Sequence, residues 1–475
     1  MKQNQHHNRF AAVFQLTLVV SAILAAAGLA IDGPVAAVRG LYDIVTRPDL
    51  LITDYVETSG LGAAMLNAGL VSAASVTVLK LSRDPFNGYS VVTVGLMTGF
   101  GFFGKNILTM WPFVVGGWLY SKLTRRSFAD YAAVSLMSTA LSPLVSYVAM
   151  GSENPSLLLG AAVGIAIGFV MPALCPYTYR IQNGLNLYNA GFAAGLLAMM
   201  IVPVMTAMDA SPQTALHWSE GFNLWLLGII VLGCVILLVL GLFLCNRPTG
   251  EVLREYRKLL GTTGRTPCDY LRMFGFAPTF VNMGINGLFC LGFLWLIGGD
   301  LNGPTAGGII AIMGFSAWGK HIRNMLPVML GVVLGGMVLD FSVRDPALQI
   351  AVLFVTTLAP IAGHFGWPFG LFAGFVHSAL VLQTAGPVSG LNLYNNGFSG
   401  GLIAIVVVPI AAAIFNHHLP KIRDASFFEV LEDDAIDAEE WDTMEAEYLH
   451  PMHHEETDSH AFEHEPEPEH HFDGD

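Results

Sequence analysis

Apolar runs of roughly 17 to 25 residues, the length that carries a helix across a bilayer core of about 30 Å, recur from Arg9 to about Phe415. They fall near 10–31, 61–79, 88–104, 106–121, 128–150, 156–176, 186–206, 222–246, 274–299, 305–319, 324–341, 347–363, 367–383 and 391–415, with short polar joints between them. This pattern predicts an all-α integral membrane protein of about 14 transmembrane or re-entrant segments. The first run reads as a membrane anchor rather than a cleaved signal, because so many spans follow it.

Composition agrees with that reading. At 53% hydrophobic, 12% charged and a mean hydropathy of +0.57, 475 residues hold too little charge to clothe a soluble surface. The formal charge of −14 misleads, because 20 acidic residues and no Lys or Arg lie between Asp424 and Asp475. The chain is therefore a mildly basic body with a disordered acidic C-terminal tail, which includes one stretch, FFEVLEDDAIDAEEW, patterned for a short amphipathic helix. Seven histidines, His450, His453, His454, His460, His464, His470 and His471, lie in that tail. With the carboxylates around them they suit a divalent metal or a cytoplasmic partner, although their spacing fits no structural metal site. Five scattered cysteines without a CxxC pair read as packing residues.

With the N-terminus inside, 18 of the 22 Lys and Arg fall in inside joints and only Arg39, Arg47, Lys105 and Arg344 fall outside. The positive-inside rule then places both termini in the cytoplasm. The predicted location is the inner (plasma) membrane of a bacterium. The most basic joint, residues 246–267, separates two related halves.

The relation is carried by polar residues. GLNLYNAGFAAGLLAMMIVP at 184–203 and GLNLYNNGFSGGLIAIVVVP at 390–409 share 13 of 20 positions. At an offset of 215, Gly104-Lys105 matches Gly319-Lys320, Pro112 matches Pro327, Asn67 matches Asn282, and Asn87-Gly88 matches Asn302-Gly303. LSP (Leu141 to Pro143) also resembles LAP (Leu358 to Pro360). Six runs per unit and one linking run make the second unit enter the membrane with the opposite sense, so the repeat is predicted to be inverted. The expected division is an N-terminal helix and connector (1–59), repeat 1 (60–210), a linking helix and basic loop (211–272), repeat 2 (273–415) and the tail (416–475).

Inverted repeats place a binding site at their interface near the midplane, where helices are interrupted. The duplicated polar residues are thus the candidates. Asn186, Tyr188 and Asn189, with Asn392, Tyr394 and Asn395, precede Gly-rich apolar runs. They serve either as caps of buried helix ends or as groups that replace a solute's hydration shell. Asn87 and Asn302 open short runs and are candidates for the same site. Lys105 and Lys320 are either interfacial anchors that snorkel or intramembrane charges that attract an anion. His364 and His377 read as packing residues, and Asp340 as a helix end. No Walker loop, HExxH, nucleophile elbow or paired membrane carboxylates appear, so neither an enzyme, nor a primary pump, nor a cofactor site is expected. Nothing points to nucleic acid.

The GLNLYN-G-F phrase, FFGKN and the two-half layout resemble an uncharacterised family of bacterial polytopic membrane proteins known as a domain of unknown function. That likeness covers nearly the whole body and implies no substrate. FNGYSVVTVGLMTGF at 86–100 is similar to the segment that opens a helix in each half of urea transporters. Here Ser90 stands where that family has Asn, and the second half has Gly303-Pro304-Thr305. The resemblance implies a small neutral solute. The sequence reading is therefore a transporter or channel for a small polar solute, in a lipid bilayer and open to homo-oligomer formation. Two alternatives are an ion-coupled anion or carboxylate carrier, and a non-transporting scaffold or sensor acting through the tail.

Overall fold

The computed structural model describes residues 2–418, apart from residues 50, 51, 85, 211, 213, 214 and 246. The expectations for the tail, including its histidines, lie outside the described residues. Within them the chain is helical, with three isolated backbone bridges and no strand.

The same order of elements occurs twice. The first series is α1 (Lys2–Asp32), α2 (Pro34–Thr46), α3 (Tyr55–Ser59), α4 (Leu61–Ser82), α5 (Gly88–Phe100), α6 (Trp111–Thr124), α7 (Ala129–Met137), α8 (Ser142–Ser146), α9 (Leu157–Ile181) and α10 (Asn189–Ala207). The second is α11 (Asn223–Val239), α12 (Thr249–Leu259), α13 (Tyr270–Phe274), α14 (Phe276–Leu296), α15 (Gly303–Phe315), α16 (Ile322–Val338), α17 (Pro346–Phe354), α18 (Ala359–Phe365), α19 (Trp367–Thr384) and α20 (Asn395–His418). A 3₁₀ turn joins α7 to α8 and another joins α17 to α18, each followed by a proline (Pro143, Pro360) that begins the next helix. The helices set apart by sequence as an N-terminal anchor and a linker hold equivalent places, since α1 packs along α4 and α11 along α14.

Among the described residues nine helical segments are long and apolar enough to cross a membrane. Over the described residues the chain is all-helical, and its apolar helices make it a multi-pass membrane protein. Its outer segments Phe14–Asp32 and Leu224–Leu244 leave most of their apolar surface exposed, whereas Leu61–Ser82 and Pro346–Phe365 are largely buried. Lipid tails are as apolar as leucine, so such an interior is held by close van der Waals contact and internal hydrogen bonds rather than by hydrophobic burial. Matched glycines provide that contact. A Cβ on Gly116 would lie 2.8 Å from the Gly168 backbone, where α6 crosses α9. A Cβ on Gly331 would lie 2.8 Å from Gly374, where α16 crosses α19. Between the halves, α5 packs on α15 with Gly95 against Gly314, again at 2.8 Å from an added Cβ.

Smaller expectations also resolve. The five cysteines are free, and all but Cys245 are buried. Asp340 follows the end of α16 in the left-handed region (φ 58°). Outside the spans, Arg247, two residues ahead of α12, pairs with Glu251 in its first turn and holds the Glu251 carboxyl below its usual range.

Candidate functional site

Helices α5 and α15 are too short to cross a bilayer at 1.5 Å per residue, and both of their ends are built alike. Asn87 and Asn302 are their N-caps, each in a reciprocal capping box with Ser90 or Thr305. A carboxylate from the opposite half completes each cap. Asp269 accepts the Gly88 N–H at 2.9 Å while also capping α13 through Leu271 N–H at 2.9 Å. Asp54 accepts the Gly303 N–H, caps α3 through Val56 N–H at 2.9 Å, and takes two further bonds from Ser219. These helix N-termini are therefore not free donors awaiting a solute: a buried acid already fills each one.

The C-terminal ends of the two helices also match, each leading into a turn through a glycine with positive φ, Gly104 at 74° and Gly319 at 90°. Only a residue without Cβ adopts such a turn cheaply, and the next residue is the lysine. Asn67 pins the turn of the first half by donating to the Gly101 and Lys105 carbonyls, both at 2.7 Å. Asn282 does the same to Ser316 and Lys320, again at 2.7 Å. Both lysines are thereby held inside the protein at 1% and 0% exposure. They do not snorkel to an interface, and the anchor reading is corrected: the rigid turn points each chain inward.

Each lysine meets a tyrosine of the other half. Lys320 Nζ donates to the Tyr188 hydroxyl and, at 2.7 Å, to Thr356 Oγ1. Lys105 Nζ donates to the Tyr394 hydroxyl, with Met97 Sδ at 3.3 Å. Aromatic faces surround both amines. Lys320 Nζ lies 4.3 Å from the Tyr188 ring centre and 4.8 Å from that of Phe315, and Lys105 Nζ lies 4.5 Å from Tyr394 and 5.3 Å from Phe100. Among the described residues no carboxylate pairs with either lysine. An ammonium in such surroundings needs an opposite charge or water to compensate its desolvation.

The GLNLYN phrases deliver the tyrosines by crossing between halves. Leu187 N–H bonds the Thr357 carbonyl at 3.0 Å and Leu393 N–H bonds that of Ala140 at 2.9 Å, so each phrase docks on the 3₁₀ break of the other half. Asn186 donates to the Gly397 carbonyl and Asn392 to that of Gly191, both at 3.2 Å. Their oxygens accept the N–H of Tyr188 and Tyr394. Asn189 donates to the Cys175 carbonyl at 2.8 Å and accepts from Thr178 at 2.8 Å. Asn395 donates to the Val381 carbonyl at 3.3 Å, leaving its buried Oδ1 without a partner among the described residues. The amides of Asn186, Asn189 and Asn392 thus hold backbone and side chains in place, and of the six phrase residues it is Tyr188 and Tyr394 that line a cavity.

That small cavity lies between the halves, walled by Phe100, Phe315 and Phe354 beside the two tyrosines, with Ala190 and Asn396 facing it. Tyr188 and Phe315 rings approach to 4.5 Å and Phe100 and Tyr394 to 4.7 Å, so the space is constricted by aromatic side chains.

Sequence reading missed Asp54 and Asp269, although Asp-Tyr recurs at the same offset (Asp54-Tyr55, Asp269-Tyr270), each followed by a positive-φ glycine, Gly60 or Gly275. It also missed Thr356, and Asn396, which has no polar counterpart in the first half. His364 stacks edge-on against Phe365, and His377 is buried and hydrogen-bonded.

A family model described as a protein of unknown function (DUF1576) matches residues 33–207 and again residues 249–413. No curated protein and no solved structure matches the chain. The two matched stretches cover most of the chain, which therefore belongs to this family.

Proposed function

From that membership, which assigns no activity, we propose that the chain is a membrane transporter for a small anion, with the two lysine–tyrosine pairs as its substrate site. One observation carries the reading: Lys105 and Lys320 are buried between the halves, reach hydroxyls, and have no carboxylate partner among the described residues. Lysines needed only for packing would be replaced at no loss by apolar residues of similar length, whereas a charge kept in a membrane interior is usually functional. The neutral-solute reading loses its main support, because Asn186, Asn189 and Asn392 spend their amides on the protein itself.

In this proposal α1 and α11 belong to their respective units, and the second unit enters the membrane with the sense opposite to the first. The site then lies on the in-plane pseudo-two-fold, as in other inverted-repeat carriers. Both termini face the cytoplasm by the distribution of Lys and Arg. The aromatic constriction supports a carrier over an open channel: the tyrosines and phenylalanines line the cavity, and the lysine amines lie against the tyrosine rings rather than on the cavity wall. An enzymatic role is not proposed, for want of a nucleophile and an acid–base pair.

The test is flux into liposomes holding the purified protein. Acetate, pyruvate, phosphate, chloride and urea are compared, with and without a pH or sodium gradient. Saturable uptake of an anion is expected. Urea flux with no anion uptake would restore the neutral-solute reading, and silence across the panel would turn attention to the tail.

A further inference from the structure

The two halves differ at one point of the cavity wall. Where α10 presents Ala190, α20 presents Asn396, and both face the space beside Tyr188 and Tyr394. Two more polar residues stand behind Asn396 alone. At the offset of 206 that aligns the GLNLYN phrases, His377 replaces Met171 and Ser399 replaces Ala193. All three are buried, at 8%, 0% and 0% exposure for Asn396, His377 and Ser399.

Their hydrogen bonds fix a direction. His377 Nε2 lies 3.1 Å from Asn396 Oδ1, an acceptor only, so Nε2 is the protonated nitrogen. Nδ1 is then an acceptor, and the Ser399 hydroxyl, 3.3 Å from it, shares its one proton with the Asn396 carbonyl at 3.2 Å. With its oxygen taken by His377, the Asn396 amide turns Nδ2 away from the histidine, and that nitrogen has no partner among the described residues. Nδ2 therefore offers two N–H groups at the edge of a mostly apolar cavity, where an acceptor would satisfy them.

We propose that Asn396 is the specificity-determining contact of the site, donating from Nδ2 to a neutral oxygen acceptor of the substrate, and that His377 is the residue that positions it. Ala190 and the aromatic rings face the rest of the molecule, so the substrate class is a short carboxylate with a second oxygen acceptor and a small apolar body, as in a 2-oxo acid. The proposal rests on the anion reading above and adds an end-specific contact to it.

The experiment compares pyruvate with propionate, which differ by that acceptor, through concentration-dependent uptake in liposomes holding the full chain. The wild type is expected to favour pyruvate by roughly tenfold or more in KM, the range for one hydrogen bond to a buried group. Asn396→Ala should raise KM for pyruvate towards that for propionate with Vmax within about a factor of two of the wild type. His377→Leu should do the same, while His377→Gln, which can still donate to Oδ1, should restore the preference. Equal KM values for the two acids in wild type, or an unchanged preference in Asn396→Ala, overturns the proposal while leaving the lysine site standing. Uptake that survives Lys105→Met and Lys320→Met but loses its preference in Asn396→Ala overturns the anion reading and keeps the Asn396 contact. Transport of neither acid overturns both for this substrate class.

Discussion

The first and second halves of the molecule agree at the frame and disagree at the wall of the cavity. Asn67 and Asn282 bridge equivalent pairs of carbonyls, Asp269 and Asp54 each cap the short helix of the other half, and Tyr394 and Tyr188 each reach the lysine of the other half. Yet Asn396 lines the cavity where the first half has Ala190, and behind Lys320 the second half adds Asn286 and Ser316 where the first has Val71 and Gly101. A frame built twice keeps two packings equivalent, which alternating exposure of one site needs. A substrate with two unlike ends needs the opposite, a wall whose sides differ.

The comparison is broken most severely at the frame. Asp54→Ala leaves the Gly303, Val56 and Ser219 N–H groups without their acceptor, at about 1–3 kcal/mol for each one buried. Asp269→Ala does the equivalent to Gly88, Leu271 and Arg272. Both variants should be lost from the monodisperse peak in detergent. Either one purifying with a wild-type Tm would show that the cross-half caps do not hold the halves together.

Next in size is an effect on transport without one on folding. Lys105→Met and Lys320→Met should each lower anion uptake by roughly two orders of magnitude, as for loss of a charged contact worth about 3 kcal/mol. Their Tm should stay level or rise, because a buried amine is exchanged for an apolar chain of similar volume. A Tm drop matching the loss of uptake would make the lysines structural.

A crossing variant comes third. A Cβ on Gly397 would stand 2.8 Å from the Tyr188 side chain and carbonyl, so Gly397→Val overpacks the contact of α10 with α20 and should cost about 1–3 kcal/mol. Gly191→Val meets Tyr394 in the same way and should cost the same. Thermal unfolding of the pair checks whether the frame is symmetric.

The smallest expected effect sharpens the difference between the halves. Lys320 keeps Thr356 when Tyr188 loses its hydroxyl, whereas Lys105 is left with a thioether when Tyr394 does. Tyr394→Phe should therefore raise KM for the transported anion more than Tyr188→Phe, by a few-fold, in the range of one hydrogen bond of about 1 kcal/mol. Equal changes would mean that the two lysines act as one.

The frame was legible because its signals come in pairs. Apolar runs of bilayer length and duplicated Asn, Gly, Lys and Pro residues singled out the helices and both lysines, although they set Lys105 and Lys320 in joints outside the spans, where the structure buries them between the halves. What each polar group faces was not legible. An Asn before a Gly-rich run reads the same whether its amide holds a neighbouring carbonyl, as Asn186 does, or a solute. Asp54 and Asp269 went unnoticed because their contexts, ITDYVETSG and PCDYLRMFG, share little beyond Asp, Tyr and the final Gly. Asn396 escaped for the opposite reason: a comparison of halves looks for matches, and its counterpart is alanine.

The central claim is that the lysine pair binds an anion, and thermal unfolding of the purified protein against rising anion concentration tests it most directly. The account predicts saturable stabilisation of the wild type by acetate, pyruvate or phosphate at constant ionic strength. That stabilisation should be absent in Lys105→Met and Lys320→Met proteins whose unliganded Tm is at or above that of the wild type. The same stabilisation in both variants would contradict the account and place any anion elsewhere in the molecule.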